Sequence, residues 1–168
     1  MTSTSTTVST WAIDPVHTIV AFAVQHMGMS TFRGRFRTVE GTIRIDEGNP
    51  VHSFVTATID AGSIDVVGER LLGALMREDF FNTEKFSTIT FQSTHVERHD
   101  DTHWTVTGDL TIRGVTRAVS LATAYLGQGT HPFSGRRIAG FHAETDIDRT
   151  EFGLTWNAAL DMEVVRQE

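Results

Sequence analysis

Residues 104–114 read WTVTGDLTIRG, and Trp104, Val106, Gly108, Leu110 and Ile112 alternate with Thr105, Thr107, Asp109, Thr111 and Arg113. A period of two is what a strand with one buried and one wet face requires, because successive Cβ atoms point to opposite sides. The same period recurs on both sides of this stretch. VAFAVQH (20–26) sets Val20, Phe22 and Val24 against Ala21, Ala23 and Gln25, and TFRGRFR (31–37) sets Phe32, Gly34 and Phe36 against Arg33, Arg35 and Arg37. GTIRID (41–46) opposes Ile43 and Ile45 to Arg44 and Asp46, while FVTATID (54–60) opposes Val55, Ala57 and Ile59 to Thr56, Thr58 and Asp60. TITFQST (88–94) places Ile89, Phe91 and Ser93 on one side. Further strands are expected near 119–126, 138–147 and 154–160, which gives about eight, separated by turn signals such as Asp46-Glu47-Gly48-Asn49-Pro50 and His99-Asp100-Asp101.

One segment departs from this period. In GERLLGALMREDFFN (68–82), Leu71, Leu72, Leu75 and Met76 recur at helical spacing, which predicts a short amphipathic helix over 68–77 with Phe80 and Phe81 docking it onto the sheet. Residues 1–10, MTSTSTTVST, form a low-complexity Ser/Thr segment and are expected to be a disordered tail. Residues 11–168 contain no linker and are expected to form one domain. Many antiparallel strands and one helix indicate an all-β fold, a single antiparallel β-barrel of about eight strands with one short α-helix.

A barrel of that size is either filled by its own side chains or keeps room for one ligand. Gly34, Ala57, Ser93 and Gly108 interrupt the apolar inward lines. Small residues there are expected to outline an apolar tunnel, or else each glycine marks a bulge or a corner. On the tunnel reading the ligand-contacting residues are Val20, Phe22, Val24, His26, Phe32, Gly34, Phe36, Ala57, Ile59, Leu75, Phe80, Phe91, Val106, Gly108 and Leu110. His26 continues the line of Val20, Phe22 and Val24 toward a strand end, where an imidazole can meet a ligand head group or bond to a backbone carbonyl.

The 168 residues are 39% hydrophobic and 21% charged, in keeping with a folded globular chain, and the net charge of −7 carries no basic block. A nucleic-acid partner is thereby disfavoured. The chain has no cysteine, which excludes disulfides, thiolate nucleophiles and Cys-based zinc sites. MTSTSTTVST lacks the basic and apolar regions of a secretory signal, so a cytoplasmic location is expected, or an exported one if a signal has been removed.

Six segments in order, WAIDPVHT, FAVQHMGMSTFRGRF, IDAGSI, EDFFNTEKFSTITFQST, GDLTIRGVTR and IDRTEFGLTW, together resemble the YceI-like family of polyisoprenoid-binding proteins. The resemblance runs from Trp11 to Trp156. It implies a lipocalin-like barrel that holds a long isoprenoid, with no catalysis attributed to the fold. Trp11, Asp14, His17, Phe22, His26, Gly34, Phe36, Asp79, Phe80, Phe81, Phe91, Gly108, Leu110, Gly114, Arg149, Phe152 and Gly153 occupy the family's motif positions. Family members often read Asp-x-His-Leu in the helix, where this chain has Leu72, Gly73, Ala74 and Leu75; Ser87 stands where a proline is usual.

His95, His99 and His103 are four apart, but HVERHDDTH reads as strand, turn and strand, which does not stack positions i and i+4 into a metal site. Asp148, Arg149 and Glu151 read as a capping or ion-paired cluster. Arg33, Arg35 and Arg37 form an outward row, a solvated face or edge protection, with contact to an anionic membrane as the alternative. No P-loop, nucleophile elbow or dinucleotide fingerprint is present. The expected function is binding of an isoprenoid or other long apolar lipid, without metal or cofactor. The alternatives are an enzyme acting on a hydrophobic small molecule in the same cavity, and a membrane-associated protein. A homodimer is left open.

Overall fold

In the computed structural model, residues 7–26 and 28–155 are described, with the side chain of His26 excepted. Ten strands and one helix are present among them: β1 (Val8–Ala12), β2 (Val20–His26), β3 (Ser30–Phe36), β4 (Val39–Asp46), β5 (Phe54–Asp60), β6 (Ile64–Asp65), α1 (Glu69–Met76), β7 (Thr88–Arg98), β8 (His103–Ile112), β9 (Val115–Thr130) and β10 (Arg137–Glu144). Seven strands form one antiparallel sheet in the order β1-β4-β5-β7-β8-β9-β10, and β2, β3 and β6 form a second. The large sheet curls until its two edge strands, β1 and β10, wall the same cavity, which makes a nearly closed barrel.

The alternation marks the strands correctly. Phe36, Ile89, Val106 and Ile112 are buried, and their chain neighbours Arg35, Arg37, Thr88 and Thr90 are not. The helix falls where its periodicity places it. Leu75 is buried, and its carbonyl accepts a hydrogen bond from the Phe81 N–H at 3.0 Å. Phe80 and Phe81 then stand edge to face, 4.9 Å between centroids, and Phe81 meets Phe36 in the same manner at 5.6 Å. With Ala61, Ile64, Ile89, Ile112, Phe152 and Leu154 they fill one end of the barrel.

Three expectations change. Residues 8–10 are not tail: they belong to β1, with Val8 opposite Asp46 and Trp11 opposite Ile43. Low complexity hid a genuine alternation there, in which Ser9 and Trp11 turn inward and the Trp11 indole N–H donates to Ser9 Oγ at 2.9 Å. The strand count rises to ten with β1 and the two-residue β6. Of the strand expected at 154–160, Leu154 and Thr155 are not strand, and 156–160 lie outside the described residues.

The β8–β9 turn has positive φ at both Arg113 (52°) and Gly114 (71°), the geometry of a two-residue hairpin whose twist matches its strands. Arg113 donates to the Gly153 carbonyl and so fixes the 3₁₀ turn Arg149–Phe152 against this hairpin. Asp148 caps that turn, accepting from the Thr150 N–H and hydroxyl at 2.9 and 2.6 Å; these bonds hold its carboxyl below the usual range.

Two arginines of the row serve the fold. Arg35 and Arg37 both reach the Asp65 carboxylate, at 2.9 and 3.0 Å, and clamp β3 to β6. Hydrogen bonds from Arg35 and then Arg37 lower the Asp65 pKa. A carboxyl whose folded pKa is depressed contributes stability above the unfolded value, about 4, and loses it as pH falls through the folded pKa. Asp65→Asn is therefore expected to lower the urea midpoint at neutral pH, with the difference from wild type shrinking as the pH is brought below about 4. A difference that stays constant with pH would show that the clamp acts by shape alone.

Candidate ligand-binding site

The inward line of β8 runs from a filled end to an empty one. Ile112 is buried in the aromatic cluster, Leu110 packs against that cluster and against a second made of Phe91, Val96 and Val106, and Trp104 stands at the far end. Two local devices open that end. On β7, Ser93 pairs with Gly108 and His95 with Thr107, so Thr94 is an extra residue and the alternation inverts. Val96 is consequently buried while His95 is exposed. Ser93 Oγ accepts the Val55 N–H at 2.8 Å, just past the last β5–β7 pair, Thr56 with Gln92. On β9 and β10 the register shifts between Gly140, opposite Gly127, and Phe141, opposite Tyr125. Leu126 is left over and extruded, and Tyr125 and Phe141 face each other inside, 5.4 Å apart.

The result is a cavity of about 310 Å³, at the lower end of the size range of small-molecule sites. Val96 and Val106 form its buried floor; Trp11, Ile43, Ile45, Val55, Trp104, Leu121, Tyr125, Ala139 and Phe141 supply most of its wall. Charge is confined to Arg44, Glu47, Arg98 and Asp101, of which Glu47, Arg98 and Asp101 are exposed. Arg98 pairs with Asp101 and stacks over Trp104 at 5.6 Å, while Arg137 stacks over Trp11 at 5.3 Å and donates to the Gln128 side chain at 2.8 Å. Asp100, in the β7–β8 turn beside this rim, is held far below the usual carboxylate range by the N–H groups of Thr102 and His103. An apolar pocket with few charged residues on its wall suits a ligand with an apolar body and little need for specific polar contacts.

A sequence profile of the YceI-like domain matches residues 11–168. The chain belongs to the YceI-like family. It is 40% identical over 138 residues to Protein YceI of Escherichia coli, covering 82% of this chain and 71% of that protein, and 39% identical over 139 residues to Protein YceI of Salmonella arizonae, covering 83% and 72%. Among solved structures, Burkholderia cenocepacia BcnA superposes with a TM-score of 0.75 at 21% identity, over 84% of each chain. The Campylobacter jejuni YCEI protein superposes at 0.67 with 27% identity, over 83% of this chain and 81% of its own.

Within this YceI-like barrel the tunnel residues read from the sequence separate into groups. Val106 lines the cavity. Phe36, Leu75 and Phe80 are buried in the aromatic cluster, and Val20, Phe22, Phe32 and Ile59 pack against it. Phe91, Ala57 and Leu110 lie in the second cluster, between filled and empty ends. Val24 is half-buried on β2, none of whose described side chains lines the cavity, and the His26 side chain lies outside the described ones. The glycines do not mark a void. A Cβ on Gly34 would stand 2.4 Å from the Phe22 ring, and one on Gly108 would stand 2.5 Å from the Gln92 carbonyl oxygen and 2.6 Å from the Phe91 ring. At the helix position that departs from the family pattern, Leu72 and Leu75 pack into the core, Gly73 is exposed, and none of 72–75 lines the cavity. Sequence reasoning missed Trp11, Tyr125 and Phe141 on the cavity wall. Trp11 was legible from its alternation with Ser9; the other two depend on the register shift.

Of the spaced histidines, His99, just past the end of β7, bonds Thr105 Oγ1 through Nε2 at 2.7 Å, and His103, at the start of β8, bonds Asp100 through Nδ1 at 2.9 Å. Gly108→Ala is expected to lower stability by about 1–3 kcal/mol, as overpacking does. Ala139→Val, on the cavity wall, is expected to change it by less than about 0.5 kcal/mol. Urea denaturation of the two variants checks this, and equal losses would contradict the division into filled and empty ends.

Proposed function

We propose that this protein binds the apolar part of a lipid, an isoprenoid or similar long chain, in the cavity between β1, β4, β5 and β7–β10, and carries or shields it without chemical change. The observation that carries this reading is the aromatic and aliphatic wall above a buried valine floor, with charge confined to four residues of which three are exposed. At about 0.8 kcal/mol per methylene removed from water, roughly ten buried carbons offset much of an association cost of the order of 4–15 kcal/mol. The filled aromatic end means that the chain enters and leaves by one rim, as in a blind pocket, and does not thread the barrel.

Binding is favoured over turnover by what the wall holds. Its two serine hydroxyls are engaged, Ser9 Oγ by the Trp11 indole and Ser53 Oγ by the Asp46 N–H, and no histidine lies among the described lining residues. Mass spectrometry of the organic extract of natively purified protein should yield a long apolar lipid. Uptake of a fluorescent polyprenyl analogue should fall at least about tenfold in Ala139→Trp, whose ring enters the cavity, with the melting temperature nearly unchanged. Equal uptake by the variant and the wild type would place the ligand elsewhere and sink the reading.

A further inference from the structure

The β9–β10 hairpin has two unlike faces. Its inner face carries Tyr125, Gln128, Ala139 and Phe141 to the cavity wall. Its outer face carries Leu126 and Ile138, 68% and 48% exposed, on either side of Gly140, and its tip carries Phe133 at 95% exposed. The tip is an ordered turn. His131 Nδ1 accepts the N–H groups of Phe133 and Ser134 at 3.3 and 3.2 Å, the His131 carbonyl accepts Gly135 N–H at 2.9 Å, and Gly135 takes a φ of +68°. The ring is therefore held outward by the backbone before anything meets it.

The charge along the hairpin's own sequence is one-sided. The chain has 21 acidic residues, yet none falls in 110–143, a stretch that holds Arg113, Arg117, Arg136 and Arg137. Arg136 and Arg137 follow the tip directly. In an acidic protein a convex, cationic finger with a bare aromatic at its end complements an anionic, fluid surface better than a shaped protein groove.

We propose that the β9–β10 hairpin docks the protein on anionic lipid bilayers, with Phe133 entering the interface and Arg136 and Arg137 meeting the phosphates. Docking sets the cavity rim beside the bilayer, because the wall pair Gln128 and Ala139 lies two positions from the last pair of the hairpin, Thr130 and Arg137. The consequence that an apolar chain passes between bilayer and cavity rests on the function proposed above; the docking itself does not.

The experiment is co-sedimentation with phosphatidylcholine vesicles, with and without phosphatidylglycerol, for wild type, Phe133→Ser and Arg136→Glu, alongside polyprenyl-analogue uptake in vesicle-free buffer. Wild type should sediment with the phosphatidylglycerol vesicles and be released by high salt; each variant should partition about tenfold less, with uptake in buffer unchanged. Undiminished sedimentation of Phe133→Ser, or no sedimentation of wild type, overturns docking while leaving the cavity reading intact. A Phe133-dependent dimer without vesicle binding assigns the tip to a protein contact and likewise overturns it. Phe133-dependent sedimentation in a protein that takes up no analogue upholds docking and removes the cavity reading alone.

Discussion

The Phe91 ring lying over Gly108 divides the interior of this barrel. Phe91 sits opposite Leu110 in the ladder, and its ring reaches the space that any side chain at 108 would need. On one side of that contact the interior is packed by Phe22, Phe36, Phe80 and Phe81 at centroid separations of 4.9 to 6.4 Å. On the other side Val96 and Val106 have partners below but a cavity above. A solid aromatic base secures the fold, so the open end need not be close-packed to keep it stable.

Much of the fold was legible because period-two alternation is a direct consequence of strand geometry. Phe32, Gly34 and Phe36 on β3, and Trp104 to Ile112 on β8, lie on the faces their spacing assigns. What failed was the inference from residue size to empty space. A glycine in a strand reports a close approach, and sequence alone does not tell whether a ligand or a neighbouring ring makes it. Here Phe22 covers Gly34 and Phe91 covers Gly108. The site itself was largely illegible, because the extra residues Thr94 and Leu126 decide which side chains line it. One inserted residue exchanges inside for outside along the rest of a strand.

The polar residues divide their work in a similar way. Asp65, Asp100 and Asp148 each gather nearby donors and hold a junction or a turn. Asp46 is buried, accepts the Asn49 N–H at 2.9 Å and orders the β4–β5 connection next to the rim. The rim arginines 98 and 137 lie instead over tryptophan rings, where a guanidinium keeps both its charge and an apolar contact.

The edges of the large sheet have a mechanical meaning. β1 and β10 wall one cavity, yet among the described residues no backbone ladder joins them, and the stacking of Arg137 on Trp11 bridges the gap. A ring closed by hydrogen bonds along its whole length has a fixed circumference. Among the described residues this one is a split cuff, with the Arg137 cation lying on the Trp11 indole across its seam. Parting that seam breaks no strand pair among the described residues, so the bore is free to widen while the sheet stays whole.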